Sequence, residues 1–217
     1  MQIAIPLYDR FTALDAVGPY EVLSRLPGAR VEFVAAEPGV IRTDTRMLPQ
    51  MIDQSLDDVP APDVVVVPGG IGSRAAARDE RLLDWLRTAH ATTSYTTSVC
   101  TGSLVLGAAG VLKGLEATTH WISRPILADL GARPVERRVV EQGKIITAAG
   151  VSAGIDMALT LASRLAGEQV AQAIQLGIEY DPAPPFDSGS PGKAPEHVRN
   201  LVLAAQAAEE AEVAAAS

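Results

Sequence analysis

The chain has 217 residues, of which 47% are hydrophobic and only 4% aromatic, and a formal charge of −8 at neutral pH. Its length suits one domain spanning 1–217, with a sheet covered on both faces, and its negative charge opposes phosphate backbones and anionic headgroups, so neither nucleic acid nor a membrane is an expected partner. No apolar run reaches the ~18 residues of a spanning helix and no basic signal region precedes the first strand-like run, which gives a cytoplasmic expectation; one cysteine excludes an internal disulfide.

Residues 2–7 form an apolar run of strand length, and Leu14, Val17, Val22, Leu23 and Leu26 follow at spacings that suit a helix. Residues 31–36 read as a second strand, ended by Pro38-Gly39. The segment 43–60 carries Pro49 and Pro60 without a clean period and predicts short strands and loops. Consecutive valines within 63–67 mark a strand buried on both faces, which is the habit of a parallel sheet. After Pro68-Gly69-Gly70-Ile71-Gly72, a helix is expected over 80–89, then a strand over 93–99 and a helix over 102–109 stopped by Gly110.

Further on, 122–130 predicts a helix ended by Gly131, and Val139 with Ile145-Ile146 predicts strands around Gly143. Helices over 152–165 and 168–178 complete the alternation. A loop rich in proline and glycine covers 181–195, before a final helix from Glu196 to about Ala216. Strands alternating with helices over most of the chain predict an α/β, doubly wound, mostly parallel sheet whose functional groups gather beyond the strands' carboxyl ends.

One such end carries the most informative motif. In Ser98-Val99-Cys100-Thr101-Gly102 a β-rich run stops at the cysteine and small residues open an apolar helix, so the side chain is presented above the sheet with backbone N–H groups beside it. That context favours a reactive thiol over a buried structural cysteine. A metal site is not expected, because there is no second cysteine and His90, His120 and His197 show no ligand spacing. The glycines at 69–72 free N–H groups that, with the Thr101 N–H, suit an oxyanion hole; taken alone they are equally a tight turn. Without a Walker lysine or a GxGxxG pattern, no phosphate-bearing cofactor is expected. Asp15, set among apolar residues near the start of the first helix, is on its own best read as an N-cap; a thiol nearby would make it a proton donor and acceptor instead.

The segments YDRFTALDAVGPYEVL (8–23), VVVPGGIG (65–72), TSVCTGSLVLGAAGVLKGLEATTHW (97–121) and LGIEYDPAPPFDSGSP (176–191) together resemble the ThiJ/PfpI superfamily, and within it the branch that hydrates isonitriles. The resemblance implies a flavodoxin-like fold, a cysteine on a nucleophile elbow, an acidic residue from the first helix beside it, and a homodimer. Those two roles fall on Cys100 and Asp15. The protease-like branch has a histidine after its cysteine where this chain has Thr101, and the glyoxalase and deglycase branches usually have Glu where this chain has Asp15.

The expected reaction is therefore hydration of a small-molecule isonitrile to an N-substituted formamide through a cysteine thioimidate, with no metal or organic cofactor. Asp15 would supply the proton, the Cys100 thiolate would add to carbon, and Thr101 would assist through its N–H and hydroxyl. Gly70 and Ile71 are the expected backbone contacts to the substrate. Asp181, in Tyr180-Asp181-Pro182, is the acidic position that the resemblance adds, although an Asp before proline also starts a turn. His120 reads as a histidine satisfied at a surface and receives no catalytic role. Two alternatives stay open: a glyoxalase- or deglycase-like enzyme acting on α-oxoaldehydes, and a non-enzymatic redox or ligand sensor built on a low-pKa cysteine.

Overall fold

In the computed structural model, which describes residues 1–215, the chain divides into two units, Met1–Glu179 and Tyr180–Ser217. The first unit is organised by the valine run. That run is β6 (Val64–Val67), buried at every position, and it lies between β1 (Gln2–Pro6) and β7 (Tyr95–Val99). β2 (Arg30–Ala35) and β5 (Gln54–Ser55) extend the sheet beyond β1, and β11 (Ile145–Ala148) and β10 (Val139–Gln142) extend it beyond β7. The resulting order is β10-β11-β7-β6-β1-β2-β5, with every pair parallel except the β10–β11 hairpin. The doubly wound, mostly parallel α/β expectation holds.

The period of two along the central strands divides the apolar side chains between two cores. Ile3, Ile5, Val64, Val66, Ile146 and Ala148 point to one face, where α1 (Ala13–Leu23), α6 (Ala153–Ala166) and α7 (Glu168–Gly177) pack on them through Val22, Met157, Leu161 and Ile174. Ala4, Val65 and Val67 point to the other, against α3 (Glu80–Thr92), α4 (Gly102–Ala108) and α5 (Arg124–Asp129) through Leu83, Leu86, Leu104, Leu106 and Leu127. Full burial of each such branched side chain contributes roughly 1.5–3 kcal/mol. Trp85 joins the second core and donates its Nε1–H to the Val59 carbonyl at 2.9 Å, as expected of a core-facing position.

Several boundaries differ from expectation for identifiable reasons. α3 continues to Thr92 rather than stopping at Ala89, and the Lys144 ammonium donates to the carbonyls of His90 and Thr93 at its end. The helix expected from 122 opens as a 3-10 turn, Trp121–Ser123, and becomes α-helical only at Arg124, with proline in its first turn. A one-turn helix, α2 (Ser73–Ala76), follows the glycine loop. β3 (Gly39–Arg42) pairs antiparallel with β4 (Pro49–Ile52), and β8 (Glu116–Ala117) pairs parallel with β9 (Arg133–Pro134). These elements are too short for a period to register. In the second unit, an exposed stretch rich in proline and glycine leads into α8 (Glu196–Ala215); the expected end near Ala216 lies outside the described residues. No helix among the described residues is long and apolar enough to cross a membrane.

Candidate active site

Adjacent strands β1 and β6 send the chain in opposite directions, β1 onward to β2 and β6 onward to β7, so a crevice opens at their carboxyl ends. The loops that follow them run against each other backbone to backbone. Thr12 N–H donates to Gly69 O at 2.8 Å and Gly72 N–H to Arg10 O at 3.1 Å. A Cβ on Gly70, where φ is +131°, would lie 2.5 Å from Arg10 O and 2.6 Å from Thr12 N. The glycine run is therefore a close-approach surface as well as a turn.

Beside this crevice, β7 ends and α4 begins with Cys100 between them at φ +55°, in the left-handed region. A non-glycine residue held there costs about 1–3 kcal/mol and persists only when its surroundings fix it. Cys100 N–H donates to Ala148 O at 3.1 Å and Ala149 O at 2.8 Å, while Cys100 O accepts from Ser103 Oγ at 3.1 Å and Thr119 Oγ1 at 3.0 Å. Gly102 completes the elbow, because any Cβ there would run into the carbonyl oxygens of Val67 and Pro68. The nucleophile-elbow geometry is thus present, with Cys100 buried at 5% exposure rather than open above the sheet.

Asp15 is the third residue of α1 and is fully buried. Thr12 occupies the N-cap position, so the N-cap reading of Asp15 is overturned by one turn of register. Its Oδ2 accepts the Gly69 N–H at 2.9 Å, and its buried Oδ1 has no nitrogen or oxygen partner. Burial pushes this carboxyl up to about 7; the Gly69 N–H and the Cys100 thiol each pull it down, and the charge of Asp44 pushes it up. The Cys100 thiol is raised far above its usual value, first by burial and then by the Asp15 charge, with the N–H groups of Val151 and Thr101 acting in the opposite sense. Activation by the helix start is present but is outweighed by desolvation. The pair therefore places a carboxyl that exchanges protons near neutrality against a thiol whose ionisation both burial and a charged Asp15 oppose.

Thr101 precedes α4 yet makes no cap bond with its side chain. Its hydroxyl donates to Gly70 O at 3.1 Å and accepts the Gly70 N–H at 2.9 Å, so the Gly70 N–H is engaged in fixing Thr101. Ile71 is half-buried in the same turn, and Asp181 is an exposed residue of the second unit. His120 is half-buried with its ring against Gly150, where a Cβ would sit 2.9 Å from His120 Cδ2. Burial and the neighbouring Arg124 hold its pKa below the usual histidine value. No group of three His, Cys, Asp or Glu side chains among the described residues is placed to hold a metal.

Three contributors escaped the sequence reading. Val151 acts through its backbone, which no side-chain pattern announces. Thr119 sits in the Thr-Thr-His-Trp run, whose polar composition next to the apolar α4 was the available signal. Tyr8, in the loop after β1, donates its hydroxyl to Pro68 O at 2.6 Å.

Comparison with known proteins agrees with this architecture. The sequence profile of the DJ-1/PfpI family matches residues 1–164. The chain is 48% identical over 200 residues to the isonitrile hydratase of Pseudomonas putida, covering 91% of this chain and 86% of that protein. A ThiJ/PfpI family protein from Pseudomonas syringae superposes with a TM-score of 0.92 at 40% identity, covering 97% of this chain and 89% of the other. Drosophila melanogaster DJ-1beta superposes with a TM-score of 0.76 at 25% identity over 83% of this chain and 98% of the other. With residues 1–164 matched by the family profile and most of its length shared with these relatives, the chain belongs to the DJ-1/PfpI family.

Proposed function

We propose that the protein is an isonitrile hydratase that converts R–N≡C and water to an N-substituted formamide by cysteine covalent catalysis. The observation that carries this reading is the buried pairing of the Asp15 carboxyl with the Cys100 thiol, in a chain so similar to the Pseudomonas putida hydratase. An isonitrile carbon must gain both a proton and a nucleophile. A carboxyl titrating at about 7 supplies the first at neutral pH, and its neighbouring sulfur supplies the second.

The Asp15 carboxylate takes the Cys100 S–H proton and passes it to the terminal carbon while the sulfur bonds to that carbon, leaving a thioimidate, R–N=CH–S–Cys100, and an Asp15 carboxylate. The carboxylate then takes a proton from water as the hydroxide oxygen adds to the same carbon. Transfer of the hydroxyl proton to nitrogen and departure of the Cys100 sulfur, which takes its proton back from Asp15, release R–NH–CHO and restore the thiol and the carboxylate. The cycle balances without a metal or an organic cofactor. Val151 and Thr101 N–H groups support the sulfur as it becomes charged, and Gly70 secures the Thr101 hydroxyl; the Ile71 N–H is assigned to the substrate on the sequence reading alone.

On the sequence reading alone, Asp181 is assigned to substrate binding, the chain to a homodimer, and residues 1–217 to one ThiJ/PfpI-like functional domain in the cytoplasm. The sensor alternative calls for a low-pKa thiol, whereas burial and Asp15 push this thiol up. The deciding experiment supplies cyclohexyl isocyanide to the wild type and to Cys100→Ala and follows N-cyclohexylformamide, with methylglyoxal loss measured in parallel. Formamide from the wild type alone is expected. Turnover of methylglyoxal without formamide would transfer the assignment to the glyoxalase class, and equal formamide production by Cys100→Ala would remove the covalent mechanism.

A further inference from the structure

The hydroxyl of Tyr8 and the carboxylate of Asp15 hold opposite edges of one peptide group. Tyr8 Oη donates to the Pro68 carbonyl at 2.6 Å, and the N–H of Gly69, which belongs to the same peptide unit, donates to Asp15 Oδ2 at 2.9 Å. The Pro68–Gly69 bond is trans, as is every peptide bond among the described residues, so that carbonyl and that N–H point in opposite directions across the plane. The relay is O–H of Tyr8 to O=C of Pro68, then N–H of Gly69 to the carboxyl of Asp15. A hydrogen bond accepted by an amide oxygen draws electron density from its nitrogen and makes the N–H a stronger donor, an effect on the order of 10–30% per bond.

We propose that Tyr8 is a positioning residue for Asp15, acting through the Pro68–Gly69 peptide group to fix the carboxyl against Cys100 and to set how firmly it holds its proton. The strand pairing explains how Tyr8 gets there. β1 and β6 are parallel neighbours in the register Ala4 to Val65, which continued past their ends carries Leu7 to Pro68 and Tyr8 to Gly69, so Tyr8 comes level with the Pro68–Gly69 peptide group. Gly69 has to be glycine for the relay to close, because a Cβ there would lie 2.8 Å from Asp15 Oδ2. Burial together with the charges of Asp15 and Cys100 keeps the Tyr8 phenol protonated well beyond the neutral range, so it remains a donor while Asp15 titrates.

The groups acting on the Asp15 carboxyl come from four elements: the Gly69 N–H from the loop after β6, the Cys100 thiol from the elbow, Tyr8 from the loop after β1, and Asp44 from the turn between β3 and β4. Asp44 is fastened by Thr12 Oγ1 at 2.7 Å and contributes a fixed unfavourable charge. Tyr8 is the member of this set that reaches Asp15 through a polarisable bond, and therefore the one whose donor strength can be graded without altering any group that touches substrate.

This inference deepens the hydratase reading but is read on the carboxyl itself, so it stands or falls separately from turnover. The experiment follows the side-chain carboxyl carbon of Asp15 by NMR against pH in the intact protein, with the signal assigned by its loss in Asp15→Asn. Wild type, Tyr8→Phe and protein carrying 3-fluorotyrosine at position 8, a stronger donor, are compared, with Tyr20→Phe as a control. The Asp15 midpoint is expected to rise by roughly 0.3 pH unit or more in Tyr8→Phe, to fall with 3-fluorotyrosine, and to stay in place in the control. Equal midpoints, or shifts of one sign in both Tyr8 proteins, would overturn the proposal. Should Tyr8→Phe fail to fold, the fluorinated protein decides alone: a lower midpoint supports the relay and an unchanged one refutes it. Absence of formamide production with the midpoints ordered as expected would count against the hydratase reading and leave the relay intact.

Discussion

Gly69 approaches Thr101 so closely that a methyl group on it would lie 2.5 Å from the Thr101 amide nitrogen and 2.7 Å from its hydroxyl oxygen. The loop after β6 and the start of α4 are thus in backbone contact, and that contact brings the Asp15 carboxyl to the elbow. Gly69→Ala is expected to separate them. Overpacking of this kind costs about 1–3 kcal/mol, and a displacement near 1 Å lowers catalysis on the order of 100-fold. Thermal unfolding and kcat/KM measured together test this; retained activity would mean that the loop gives way harmlessly.

Asp15→Asn is expected to have opposite effects on two properties of the same site. Without a proton donor, hydration should fall by about 10²–10⁴-fold in kcat/KM. The thiol, relieved of the Asp15 charge that helps to push its pKa up, should alkylate faster with iodoacetamide at pH 8 than in the wild type. Slower alkylation in the variant would show that the carboxylate activates the sulfur instead of restraining it.

The same carboxyl makes stability depend on pH. Its folded value of about 7 lies above the ordinary 3.8, so the fold binds the proton more tightly than the unfolded chain does. The neutral carboxyl fits its buried position fully below about pH 4, and this contribution is lost as pH rises towards 7 and beyond. The interval corresponds to ~4 kcal/mol for one group. Urea unfolding should therefore find Asp15→Asn more stable than the wild type at pH 8, with the gap narrowing on acidification to pH 4.5. A gap independent of pH would place the titration elsewhere.

Thr101→Val removes a hydroxyl that both donates to Gly70 O and accepts from Gly70 N–H. Two buried backbone groups then lose a partner, at about 1–3 kcal/mol each if nothing replaces it. Thr101→Ser keeps the hydroxyl and should retain most of the stability and activity, whereas the valine variant should lose at least ~10-fold in kcat/KM. Comparable losses in both variants would show that the hydroxyl alone does not account for the role of Thr101.

Much of the fold was legible because it is written in local periods. The four buried valines of β6, the alternation of strand and helix, and the glycines that end the helices depend on near neighbours in sequence, and they predicted a parallel sheet with its helices on two faces. The limits of α3 were not legible, since Lys144, far along the chain, satisfies its last carbonyls. The one-turn helix α2 and the two-residue ribbon strands carry too few residues to show a period.

The candidate site divides along the same line. By itself the sequence determined that Cys100 stands at a strand-to-helix turn, that glycines follow the valine strand, and that Asp15 lies among apolar residues at the start of a helix; each is a statement about adjacent residues. Only the tertiary structure decided that Asp15 is one turn inside α1 rather than its cap, that it faces a thiol from a distant strand, and that burial rather than the helix start governs that thiol. It alone also enlisted Val151 through its backbone N–H and joined Tyr8 to Asp15 across the Pro68–Gly69 peptide group. The physical reason is that desolvation and hydrogen bonding depend on which groups surround an atom in space, and in a parallel sheet those groups come from strands that crossover connections keep far apart in sequence.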